Sequence, residues 1–192
     1  MNVTAIVLAA GLSRRMGTEK LLLPVDGVPM VQRTLDLLES LPFAKRVLVT
    51  VPSIAKVVRT DAEIIYNPTQ ELGQSLSVRL GVLAAEASSS LLFFMGDQPF
   101  LDVSVVEAIL AAHDGENIVY PADLNGQPGS PVLFAPRFRE DLLVFQGDEG
   151  GRQVRRRYPE ACCEVQIADS RALLDVDTPM DYEKIKGMEE LR

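Results

Sequence analysis

A three-layer α/β/α fold, with helices on both faces of a mostly parallel mixed sheet, is what this chain of 192 residues predicts. Three observations point there. Apolar runs of strand length recur at residues 4–8, 46–51, 63–66, 91–95, 117–120, 131–134 and 163–167. Stretches with helical spacing lie between most of them, the pattern of βαβ units. One run, Leu91-Leu92-Phe93-Phe94-Met95, is apolar without alternation, as a central strand covered on both faces must be.

Each element has its own signal. Residues 30–41 put Val31, Leu35 and Leu38 on one helical face, and residues 74–87 group Leu76, Leu80, Leu83, Ala84 and Ala87. Residues 103–113 and 179–191 follow the same logic. Asp26-Gly27 reads as a turn between apolar stretches, and Asp102 and Ser104 as caps of the helix that follows. Thr178-Pro179 reads as a cap and first turn of the last helix. The length suits one domain over residues 1–192.

Composition narrows the function classes. Net charge is −8 and the sequence pI is about 4.7, which argues against nucleic acid or an anionic membrane as partner. No apolar run approaches the roughly 20 residues of a membrane span, and the first residues lack a basic secretory n-region, so a cytoplasmic location is expected. Cys162 and Cys163 are adjacent and point to opposite faces of a strand, poorly placed to bond to each other. His113, the single histidine, ends an apolar helix face and reads as structural, which leaves mechanisms built on a histidine base without their base. Against this acidic background two basic clusters stand out: Arg14, Arg15 and Lys20, and Arg152 with Arg155, Arg156 and Arg157.

In parallel sheets ligands bind beyond the carboxyl ends of strands. Three segments meet that condition. The first runs Leu8-Ala9-Ala10-Gly11-Leu12-Ser13-Arg14-Arg15-Met16-Gly17-Thr18-Glu19-Lys20. Small residues there let backbone amides approach phosphate oxygens, and the three basic side chains supply fixed charge and donors for a triphosphate. The spacing fits neither a dinucleotide fingerprint nor a P-loop. The second, Gly96-Asp97-Gln98-Pro99, ends an apolar strand with an aspartate; the third, residues 174–182, adds Asp175 and Asp177 on one extended face. Few carboxylates, shared with phosphates, is the arrangement magnesium prefers.

The loop at 8–20 resembles the signature of nucleotidyltransferases with the Rossmann-like nucleotide-diphospho-sugar transferase fold. Residues 96–99 and 175–179 resemble that family's metal-site segments. Gly73-Gln74-Ser75-Leu76-Ser77, residues 129–134 and residues 147–152 match as well. Together they look most like the branch of molybdenum cofactor cytidylyltransferases and molybdopterin-guanine dinucleotide synthases. One departure is Ser130, where many members of the branch carry histidine.

The resemblance implies roles position by position. Leu8, Ala9, Ala10, Gly11, Leu12, Ser13, Gly17, Gln74 and Ser75 would surround the nucleotide. Arg14, Arg15 and Lys20 would act on the triphosphate, and Asp97 and Asp177 would bind magnesium. Gln98, Pro99, Gly129, Ser130, Asp148 and Arg152 would meet the acceptor. The implied reaction is CMP transfer from CTP to the phosphate of a molybdopterin-type cofactor, releasing pyrophosphate in support of a molybdenum hydroxylase. The acceptor oxygen is already anionic, so positioning and charge neutralisation suffice. Ala10 stands where the guanylyl enzymes tend to have glycine, which favours CTP over GTP. Guanylyl transfer, transfer to a sugar or methylerythritol phosphate, and a non-catalytic cofactor-binding chaperone are the alternatives.

Overall fold

The structure, a computed structural model, describes residues 2–13, 16–145 and 151–189. Seven strands form one mixed sheet. In chain order the elements are β1 (Val3–Ala9), β2 (Pro24–Val25), β3 (Val28–Pro29), α1 (Met30–Glu39), β4 (Lys45–Thr50), α2 (Pro52–Ala55), β5 (Glu63–Tyr66), α3 (Gln74–Ala84) and β6 (Ser90–Met95). There follow α4 (Val103–Ala111), β7 (Ile118–Ala122), β8 (Val132–Phe134), α5 (Arg139–Val144), α6 (Arg152–Arg157), β9 (Cys162–Gln166) and α7 (Pro179–Glu189). Strand order is β5-β4-β1-β6-β8-β7-β9, with β2 and β3 a separate hairpin. β8 alone runs against its neighbours β6 and β7; the other pairings in the large sheet are parallel. This is the mostly parallel α/β architecture that the strand and helix periodicities predict, with the apolar β6 at its centre.

The three layers follow from period-two alternation along the strands. Val3, Ala5, Val7 and Ala9 of β1 face a core completed by Leu48, Leu92 and Phe94 and by Val31, Leu35, Leu38, Val106 and Ile109 of α1 and α4. Ile6 and Leu8 face the other, with Val47, Val49, Leu91 and Phe93 and with Val78, Val82, Leu142 and Val154 of α3, α5 and α6. Cys163 packs on the first core and Cys162 on the second, so the two free thiols lie on opposite faces of β9.

One helix face differs from the expectation. On α3 the buried residues are Ser75, Ser77, Val78, Gly81 and Val82, while Leu83 is 67% exposed; the helix ends at Ala84, short of the expected 87, so Ala87 lies beyond it. Gly81 explains the rotation. A Cβ built there would stand 2.5 Å from Ile6 Cγ2, so the helix lies on β1 through its glycine. Close backbone approach decides the inward face; Leu80 and Ala84 stay half-buried against the second core, and Leu83 turns to solvent.

The local signals hold elsewhere. Asp26 (φ 50°) and Gly27 (φ 77°) make the turn of the β2–β3 hairpin, whose two-residue strands the apolar-run pattern does not reveal. Asp102 Oδ1 accepts the Val105 amide and caps α4. At α7 the Thr178 amide donates to Asp181 Oδ2 and the Asp181 amide to Thr178 Oγ1, a reciprocal capping box. His113 bridges the Ser90 hydroxyl and Asn117 Oδ1 at 2.9 and 2.7 Å, a structural tie. Among the described residues no helix is long and apolar enough to cross a membrane.

Candidate active site

β1 and β6 are neighbours with Leu8 opposite Met95, and the Gly96 amide donates to the Leu8 carbonyl at 3.2 Å. The segments that follow them therefore leave the sheet side by side. A third segment joins them. Val176 is fully buried in a small core with Met16, Val25, Met30, Tyr182 and Ile185, and its amide donates to the Asp97 carbonyl at 3.1 Å. The Tyr182 hydroxyl donates to the Pro24 carbonyl at 2.6 Å, which ties α7 to the hairpin. Burying that apolar patch brings Asp177 to the first loop.

Where the three meet, Lys20 Nζ lies 2.6 Å from Asp97 Oδ2, 2.9 Å from Asp177 Oδ1 and 3.0 Å from the Val176 carbonyl. Three acceptors use all three ammonium donors. Burial pulls the Lys20 pKa down, but Asp97 and Asp177 more than offset it, and the net direction is up. Asp97 is also raised: its burial outweighs the attraction of Lys20, and Asp175 and Asp177 add to the rise. Asp97 Oδ1 is buried with no hydrogen-bond partner among the described residues. An orphaned carboxylate oxygen beside a second carboxylate suits a hard divalent cation that takes its remaining ligands from phosphate and water. No set of three His, Cys, Asp or Glu side chains among the described residues could hold such an ion by itself.

Ser13 shapes the loop before Lys20. It takes a left-handed conformation (φ 45°), its hydroxyl accepts the Lys20 amide at 3.2 Å, and its carbonyl accepts the Met16 amide at 2.9 Å. Arg14 and Arg15 lie outside the described residues, as do Gly147, Asp148 and Gly150.

Two cavities open on this junction. The loop-side cavity, about 580 Å³, is lined by Ala10, Gly11, Leu12, Ser13 and Lys20, by Gln70, Glu71, Gly73 and Ser77, and by Asp177. Its neighbour, about 290 Å³, is lined by Val78, Phe93, Gln98, Pro128, Gly129, Ser130, Val132, Phe134, Gly151, Arg155 and Leu173. Leu8, Gln74, Met95, Asp97, Arg152 and Asp175 line both.

Most residues singled out in the sequence thus gather at one place, and four do not line either cavity. Ala9 is in the core with its carbonyl accepting the Thr50 hydroxyl, and Ser75 is buried. Pro99 is buried with its carbonyl accepting from Arg33 Nε, and Gly17 is an exposed turn glycine at φ 68°. Sequence reasoning passed over Ser77 and Met95, set Arg155 beside Arg152 in a basic cluster without a place in the site, and named Asp175 with Asp177 without giving it a role of its own. Asp175 carried a signal, since it shares an extended face with Asp177.

Comparison with known proteins settles the family. Residues 5–162 match the model of the MobA-like NTP transferase domain. The chain belongs to that family. Its relatives include the purine catabolism protein PucB of Bacillus subtilis, 27% identical over 94% of each chain. The molybdenum cofactor cytidylyltransferase of Escherichia coli is 25% identical over 94% of this chain and 93% of that one. A molybdenum cofactor guanylyltransferase of Shewanella sediminis is 24% identical over 96% of each. Among solved structures, the Rv0371c homologue from Mycobacterium sp. strain JC1 superposes with a TM-score of 0.86 at 27% identity, covering 99% of this chain and 98% of that one. The Mycobacterium tuberculosis Rv0371c complex with manganese shares the fold, with a TM-score of 0.83 at 21% identity, covering 96% of this chain and 97% of that one.

Proposed function

We propose that this MobA-like transferase moves CMP from CTP to the phosphate of a molybdopterin-type acceptor and releases pyrophosphate, in support of a molybdenum hydroxylase. The observation that carries the reading is the pair of adjoining cavities that share Asp97 and Arg152. A donor in one and an acceptor in the other would meet where those side chains stand.

The triphosphate belongs in the loop-side cavity, where Ala10, Gly11, Leu12 and Ser13 line one wall. Arg14, Arg15 and Lys20 are assigned to its phosphates. Gln74 lies on the seam and Ser77 within the same cavity, beside the nucleoside. The acceptor belongs against Gln98, Gly129, Ser130 and Arg152. Its phosphate oxygen attacks the α-phosphorus; the bond to the bridging oxygen breaks, and pyrophosphate leaves with the electron pair. Arg152 holds the acceptor phosphate against the donor. Lys20 offsets charge on the leaving side, a contribution of the kind worth about 10²–10³ in rate. Asp97 and Asp177 are the residues that would hold magnesium, which supplies charge neutralisation on the phosphate oxygens when bound.

CTP is favoured because Ala10 stands in the cavity lining where glycine would leave more room for a purine. The decisive assay follows pyrophosphate release from CTP and from GTP, each with magnesium and purified molybdopterin. We expect release with CTP, dependent on acceptor and lost in Asp97→Asn. Release with GTP alone would overturn the base assignment, and no acceptor-dependent release with either would overturn transfer to molybdopterin.

A further inference from the structure

Arg155 lies one helical turn from Arg152 on α6, and the two line the smaller cavity together. Only Arg152 also lines the loop-side cavity. Arg155 is therefore placed to touch an acceptor without touching the donor. Its guanidinium carbon sits 4.4 Å from the centre of the Tyr120 ring, a stacked position. That ring is itself held, since the Tyr120 hydroxyl donates to Glu164 Oε2 at 3.4 Å. Stacking leaves the edge of the planar fork for hydrogen bonding, and a fork matches the oxygens of a phosphate. Among the described residues neither Arg152 nor Arg155 is paired with a carboxylate, whereas Arg33, Arg46, Arg137, Arg157 and Arg171 each are. Two guanidiniums without a direct ion pair, on a cavity that Asp97 and Asp175 also line, suit an anion.

The rest of the cavity says what the anion is attached to. Phe93, Val132 and Phe134 form an apolar side, with the two rings edge to face at 6.0 Å. Gln98, 4% exposed, lines the cavity with its Nε2 on the Leu173 carbonyl and its Oε1 buried and unpartnered. A space of about 290 Å³ accommodates a ring body, and an inorganic phosphate would leave the apolar side uncovered.

We propose that Arg155, pre-set by the Tyr120 ring, is an acceptor-specificity residue: it grips the phosphate of a ring-bearing phosphomonoester and takes no part in holding the nucleotide. The proposal rests on the donor and acceptor assignment of the two cavities and does not depend on which base is transferred or on turnover.

The test is a calorimetric titration of phenyl phosphate into wild type, Arg155→Met, Arg155→Lys and Tyr120→Leu. The loop-side cavity is kept filled by saturating CTP or GTP, whichever binds. Loss of a charge-assisted hydrogen bond predicts affinity roughly 10- to 100-fold weaker in Arg155→Met. A smaller loss is expected in Arg155→Lys, which keeps the charge but not the fork, and in Tyr120→Leu, which keeps the fork but not its support. Nucleotide affinity measured separately is expected to stay within about twofold in all three. Unchanged phenyl phosphate affinity in Arg155→Met overturns the proposal, and so does a parallel loss of nucleotide affinity. Inorganic phosphate binding as tightly as phenyl phosphate overturns the ring-bearing part. If Arg155→Met fails to fold, the Arg155→Lys titration decides by the same criteria. Absence of pyrophosphate release with phenyl phosphate binding intact would count against the transferase reading alone.

Discussion

Lys20, proposed as a charge for the triphosphate, is the counter-ion of Asp97 and Asp177, and its side chain is 12% exposed. A divalent cation at those carboxylates would take over that second task from the ammonium. Lys20→Met should therefore leave a buried carboxylate without compensation and lower stability by about 3 kcal/mol in the absence of metal. Magnesium should then restore more of the melting temperature in Lys20→Met than it adds to wild type. Equal melting curves, with equal responses to magnesium, would refute this account of the pair. The pH dependence has a definite sign. Because the folded pKa of Lys20 is raised, its contribution is fully present below the unfolded value of about 10.4 and is lost as pH rises through the folded value. Wild type should lose stability in strong alkali more steeply than Lys20→Met, which urea melts across that range would show.

At the scale of elements, two helical glycines make opposite predictions. Gly81 in α3 has Ile6 Cγ2 where a Cβ would go, whereas Gly187 in α7 has nothing within 4 Å. Gly81→Ala should push α3 off β1 and cost about 1–3 kcal/mol. Gly187→Ala should stabilise α7 by about 0.5–1 kcal/mol through the entropy of the unfolded chain. Denaturant melts of both variants provide the measurement, and equal midpoints would remove the packing explanation for the α3 face. The same contact explains why the leucine pattern misled. Leu76, Leu80, Leu83, Ala84 and Ala87 are the more apolar set, but the missing side chain at Gly81 brings the backbone closest and so selects the opposite face. Boundaries of the strands were legible to within about two residues, because period-two alternation and apolar runs are local properties. The β2–β3 hairpin showed only its Asp26-Gly27 turn, since two residues are too few to carry a period.

For the whole molecule, the donor site is assembled from segments that share no neighbourhood in the chain. Lys20 meets Asp97 across 77 positions and Asp177 across 157. A nucleotide spanning these segments binds only the folded state, so CTP with magnesium should raise the melting temperature as its concentration rises. At 100 times its dissociation constant the added stability is about 2.7 kcal/mol. GTP at the same concentration should add less, because Ala10 and not glycine stands in the cavity lining. A calorimetric scan over both nucleotides tests this, and a larger shift with GTP would reverse the base preference.

The sequence by itself determined the layered α/β architecture, and it pointed to the strand ends for the candidate site and to the residue types at its centre. Each of these is written in spacing: apolar period, turn chemistry, and small or charged residues just past a strand. Only the tertiary structure decided what those residues touch. It turned Ser75 into the interior and Ser77 into the cavity, placed Asp175 on the wall of both compartments, and stacked Arg155 on Tyr120. It also paired Lys20 with two carboxylates from distant segments, Asp97 and Asp177. The physical reason is range. Periodicity and capping act over a few residues, whereas cavities and ion pairs depend on which distant segments the buried cores press together.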